Sequence, residues 1–151
     1  MSVINMNGIE YKLSGGLNDF QKRMQIHLVN WKWNYITKEP GYYAGNMYDS
    51  RLPLSVTKDF PHIYKSVLDD LKEHQLKYPF KFHKHFWHMA SSQAANINLF
   101  LPVLLHSKAS DILKIINPDI KSIASDYLYK GFRIEFWDGN SAKATGLLND
   151  H

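Results

Sequence analysis

The densest run of chemistry-bearing side chains in the sequence is His83, His85, His88, Ser91, Ser92, Gln93, Asn96 and Asn98. On an extended strand, His83 and His85 would share a face and could chelate a transition metal, with His88 as a third ligand. A single helix would not serve all three. The chain has no cysteine and no H-E-x-x-H pair, so the plainer reading is a basic, aromatic loop whose imidazoles are solvated or satisfied by backbone. Gln93, Asn96 and Phe100 lie at i, i+3 and i+7 and share one face of a helix, while Asn98 lies on another face among Leu99, Leu101 and Leu105. An amide left unsatisfied in so apolar a helix costs about 1–3 kcal/mol. These amides are therefore expected to cap or bridge neighbouring backbone; orienting a ligand or a water is the sharper alternative.

Glu135 is the next candidate. A carboxylate projecting from a strand suits a hard ion such as Mg2+, which takes oxygens, waters and substrate phosphates. The plainer view places Arg133 and Glu135 on a solvated strand face in weak pairs. Two further segments interleave rings with cations: Trp31-Lys32-Trp33 and Phe80-Lys81-Phe82-His83-Lys84. Lys32 and Lys84 would there meet phosphates while the rings stack on bases. Half-buried amphipathic elements, with lysine stems lying over apolar surface, fit the same pattern. Glu10-Tyr11-Lys12, Asp70-Leu71-Lys72 and Asp119-Ile120-Lys121 are chance likenesses of carboxylate–lysine nuclease fragments.

These residues need a framework, and the composition bounds it. The chain has 151 residues, 44% of them hydrophobic, 14% aromatic and 21% charged. That describes one compact domain rather than a disordered segment. Without cysteine there is no disulfide scaffold, thiolate zinc site or thiol nucleophile. The formal charge is +4 with eight histidines uncounted, which permits a nucleic-acid partner without demanding one. No secretory signal is visible, and the longest apolar run, Ile97–Leu105, is far shorter than a membrane span. The expected setting is cytoplasmic, with no membrane partner.

Gly8–Leu13 alternates as a short half-buried strand. Asn18 with Gln21 forms a capping box, followed by Phe20, Met24, Leu28, Trp31 and Tyr35 on one helical face ending near Ile36. Residues 40–53 are expected to form an irregular loop. A second helix starts at Pro61 with Ile63, Val67, Leu71 and His74 or Gln75 inward. A third begins between His88 and Ser92, runs to His106 and carries Pro102. A short helix covers Ser110–Ile116, another Asp119–Leu128, and Lys130–Trp137 alternates as a strand. The fold class expected is α+β: mainly helical, with a small antiparallel sheet built from Gly8–Leu13 and Lys130–Trp137.

Several segments together are similar to a bacterial family of the PD-(D/E)xK nuclease superfamily: Phe20–Met24, His27–Trp33, His88–Asn96, Asn98–Leu104 and Phe132–Phe136. The Ser91-Ser92-Gln93-Ala94 run before Asn98-Leu99-Phe100 is the most specific part. The resemblance implies the front part of a restriction-endonuclease-like domain and a Mg2+-dependent (or Mn2+-dependent) cut of a nucleic-acid phosphodiester. It implies Gln93 and Glu135 as catalytic residues, with Glu135 the metal ligand, and a nucleic-acid groove lined by His88, Ser92 and Asn96. The chain departs from the family where the defining Asp and Glu-x-Lys would follow: beyond Glu135 come only Asp138, Lys143 and Asp150. One carboxylate cannot assemble a two-metal site. The expectation is thus a nuclease-like domain with an incomplete catalytic set, cut short or worn down. The alternatives are a non-catalytic nucleic-acid- or protein-binding module, and a transition-metal protein using His83, His85 and His88.

Overall fold

The computed structural model describes residues 1–77 and 80–120. Among them the architecture is α+β, with five helices and two small two-stranded antiparallel sheets. The chain opens with a hairpin: β1 (Ser2–Met6) pairs antiparallel with β2 (Ile9–Leu13), with Ser2 opposite Leu13 and Met6 opposite Ile9. Its turn is Asn7-Gly8, with φ of 53° and 76°. Both are left-handed, as a type I′ turn demands. The strand expected at Gly8–Leu13 therefore exists, but its partner among the described residues is β1. The Lys130–Trp137 segment lies outside the described residues, as does Asp119–Leu128 beyond Ile120.

Helix α1 (Asp19–Tyr35) begins with the expected capping box: Asn18 accepts from the Gln21 N–H, and the Gln21 side chain accepts from the Asn18 N–H. Its buried residues are Ile26, Val29 and Lys32. The expected apolar face, Phe20 to Tyr35, is the outward one. Periodicity finds a stripe but cannot say whether it faces in, and α1 has apolar residues on both sides. Ile26 and Val29 pack on Tyr11 and Leu13, with Ile4, Leu17 and Trp33 around them. Trp33 stacks on Tyr11 at 5.3 Å.

The expected irregular loop contains a second hairpin, β3 (Gly41–Tyr43) with β4 (Asn46–Tyr48). Ala44 and Gly45 make its left-handed turn, at φ 48° and 83°. Gly41 is required by close approach, because a Cβ there would fall 2.5 Å from the Leu52 carbonyl oxygen.

A short helix α2 (Leu54–Thr57) leads to α3 (Lys65–Lys77). Ile63, Val67, Leu71 and His74 are buried as expected, but the helix starts at Lys65 rather than Pro61. The Asn98 amide holds the preceding turn: its Oδ1 accepts from the Tyr64 N–H (2.9 Å) and its Nδ2 donates to the His62 carbonyl (2.9 Å). Helix α4 (Ser92–Leu105) is capped by Ser91, whose Oγ accepts from the Ala94 N–H, and includes Pro102. Helix α5 (Ala109–Ile116) follows, close to its expected bounds. Helices α3 and α4 build the second core from Ile63, Val67, Leu71, Ala94, Ile97 and Leu101 around Phe86. Phe60, Phe82 and Trp87 surround Phe86, and Phe82 stacks on it at 4.1 Å. Offset and edge-on ring contacts add to what burial alone contributes.

Candidate functional site

The two cores are joined by residues 49–52. Ser50 and Leu52 pair antiparallel with residues 87–89: the Leu52 N–H donates to the Trp87 carbonyl (2.9 Å) and the Met89 N–H to the Ser50 carbonyl (2.8 Å). Arg51 sits opposite His88 in this ladder. Its guanidinium lies 4.0 Å from the centre of the Tyr43 ring on β3, donates from Nη2 to the Lys84 carbonyl (2.8 Å), and donates from Nη1 to His85 Nδ1 (3.3 Å). The Tyr43 and His85 rings are 5.0 Å apart, and those of His85 and His83 5.2 Å. Arg51 is only 5% exposed, and among the described residues no carboxylate forms an ion pair with it.

The imidazoles are held by tight turns rather than by a strand. The Phe86 N–H donates to the His83 carbonyl (2.8 Å) and the His88 N–H to the His85 carbonyl (3.0 Å). From α4, Gln93 Oε1 accepts from the His83 N–H (2.9 Å). His83 Nδ1 accepts from the His85 N–H (3.3 Å), and His88 Nδ1 from the Ala90 N–H (3.0 Å). Arginine can only donate, so His85 Nδ1 is an acceptor as well. With Nδ1 accepting in all three rings, Nε2 is the nitrogen left to donate.

The electrostatics are one-sided. Burial pushes His88 down to about 4, helped by the charges of Arg51 and His85. His85 is lowered by burial first, then by Arg51, His83 and Lys84. Burial also lowers Arg51, against the opposing influence of Tyr43 and Tyr48; arginine remains a cation regardless. Every charge acting on His85 and His88 here is thus positive or becomes so on protonation. A fixed cation beside ring donors, with no acid among the described residues to neutralise it, is suited to an anion.

The sequence-expected residues divide accordingly. His83, His85, His88, Lys84, Ser92 and Gln93 belong to one neighbourhood around the turns and the start of α4. Lys84, Ser92 and Asn96 are exposed. Gln93 and Asn98 bridge backbone, the plainer of the two expectations for the amides. Lys32 does not reach a surface: it is fully buried, and its Nζ donates to the Glu39 (2.6 Å) and Asp49 (3.0 Å) carbonyls. Its expected phosphate contact gives way to a structural role. The three-histidine metal site is also corrected, because no group of three His, Asp or Glu among the described residues could hold an ion. The His83–His85 segment is turned, and the Nδ1 atoms of its rings are engaged. Glu135, the expected metal ligand, lies outside the described residues. Sequence reasoning missed Arg51 and Tyr43, whose partners lie dozens of positions away; no local spacing marks them.

No family model, curated protein or solved structure matches the chain. Among the described residues no helix is long and apolar enough to cross a membrane.

Proposed function

We propose that this chain is a nuclease-superfamily-like domain acting on nucleic acid, with Lys84, His85 and His88 contacting backbone phosphate and the buried Arg51 supplying fixed positive charge behind them. The observation that supports it is a cluster without an acid among the described residues: a buried arginine bound to the His85 imidazole, next to the Ser91-Ser92-Gln93 start of α4. Phosphate supplies the missing negative charge and accepts from N–H donors. The described residues hold no ligand set for Mg2+ or Mn2+, so phosphate binding is proposed for them and hydrolysis is not. Catalysis belongs to the resemblance and to Glu135.

The test is fluorescence anisotropy with labelled single- and double-stranded DNA across a salt series. Affinity is expected to fall linearly on log–log axes with salt. It should survive EDTA and Glu135→Ala. Binding insensitive to salt, or lost with chelator, overturns the phosphate reading. Magnesium binding by calorimetry that disappears in Glu135→Ala would instead favour the metal-dependent enzyme.

A further inference from the structure

The outward face of α1 carries Phe20 (64% exposed), Met24 (43%), Trp31 (40%) and Tyr35 (73%), with half-buried Leu28 between them. These positions fall within one narrow arc of the helix, opposite Ile26 and Val29, which pack on the hairpin. Scattered exposed apolar residues are ordinary, but a stripe running the full length of a helix is not.

The stripe is symmetric about its own centre. The midpoint of Phe20 and Tyr35 lies between positions 27 and 28, and so does that of Met24 and Trp31. An antiparallel copy of the helix laid across a twofold axis at that point sets Phe20 against the partner's Tyr35. It also sets Met24 against the partner's Trp31, with His27 and Leu28 at the axis. Ring meets ring and thioether meets indole, both favourable pairings. Self-complementarity of this kind is what an isologous contact requires. We infer that α1 is the dimerisation face of this protein and that its occupant is a second copy of α1 packed antiparallel. Taking about 200 Å² for each large side chain, the stripe offers roughly 450 Å² per copy. With Leu28 and His27 the total over two copies approaches the ~1,000 Å² at which specific interfaces begin. The dimer is accordingly weak and concentration-dependent.

The absence of native cysteine makes the test clean. In the full chain, single Leu28→Cys, Phe20→Cys and Tyr35→Cys variants are treated with a short bismaleimide and sized. Leu28→Cys is expected to cross-link to its own copy, and Phe20→Cys and Tyr35→Cys to each other when mixed but not each to itself. Self-linking of Phe20→Cys overturns the antiparallel arrangement. So does failure of Leu28→Cys to link while the chain sediments as a monomer at every concentration. Slow maleimide reaction of Leu28→Cys in a monomer means residues beyond Ile120 cover the stripe, and also overturns it. Met24→Glu, with its fold checked by circular dichroism, is expected to weaken dimerisation at least about tenfold; an unchanged dimer refutes the proposal.

Discussion

Lys32 and Arg51 are both buried and both bind backbone carbonyls, yet they are buried in different ways. Lys32 projects from α1 beside the first core, and its Nζ ends on the carbonyls of Glu39 and Asp49. The Asp49 carboxylate accepts from the Lys12 N–H on β2 (2.6 Å). The result is a closed knot joining helix, hairpin and connector. Arg51, next to the aromatic core, has His85 and the Tyr43 ring for neighbours and exposed Lys84 at its edge. A cation whose acceptors are all backbone carbonyls in a sealed core holds the fold. A cation set among half-buried rings, with no acid among the described residues, keeps its charge uncompensated, which is what the proposed phosphate contact uses.

Four outcomes break or sharpen that contrast. Lys32→Ala should have the largest effect of any single substitution, about 3–5 kcal/mol of unfolding free energy by urea titration, since it removes the buried stem and orphans two carbonyls. DNA affinity of the folded fraction should be unchanged; a loss of affinity would erase the distinction.

Acidification should come next. His62, packed against Phe86 and Trp87, is pushed by burial down to about 4, as is His88. The unfolded chain takes up these protons near pH 6.5 and the folded chain only near 4, so stability falls across that window. The loss reaches about 3 kcal/mol per imidazole by pH 4. Lys32 follows the same sense in a higher pH window: burial, partly offset by Asp49 and Glu39, lowers it to about 8. Between pH 8 and 10 the unfolded chain binds the extra proton, so wild type should gain stability relative to Lys32→Met as pH rises. Chemical denaturation of both proteins across pH checks both windows.

Arg51→Lys should weaken DNA binding by about 1–2 kcal/mol in anisotropy, because an ammonium cannot lie flat on Tyr43 while also donating to His85 and Lys84. Smallest of all, Lys84→Ala should leave stability within about 0.5 kcal/mol. It should also lower the salt slope of DNA binding by about one. A binding surface elsewhere would leave both variants binding like wild type.

Much of the helical framework was legible because its signals are local. The Asn18–Gln21 capping box, the inward residues of α3 and the limits of α4 and α5 depend on spacing within a few positions. The role of Gln93 and Asn98 was legible as well, since a buried amide must find partners; Asn96, expected to do the same, is exposed. The first hairpin was missed although Asn7-Gly8 is a strong turn signal, because Gly8–Leu13 was matched with a distant strand. The second hides its turn in Ala44-Gly45, where the alanine takes a left-handed conformation that its type does not favour. Burial of Lys32 was hidden for another reason: between two tryptophans a lysine reads as a surface cation, and only the carbonyls of residues 39 and 49 make its interior position tenable. Arg51 depends on partners more than thirty positions away in the chain. That the α1 stripe faces outward could not be read from its spacing, because the helix is apolar on both sides.

The pairing of residues 50–52 with 87–89 has a consequence for how the chain comes apart. It closes a loop that contains all of α3, and the same few residues continue back to the Asp49–Lys12 contact at the first hairpin. Opening the aromatic core therefore frees the connector, and freeing the connector releases the acceptors that hold Lys32. The two cores share one latch, so they are expected to melt as one cooperative unit, and the Arg51–His85 cluster persists only while both are folded.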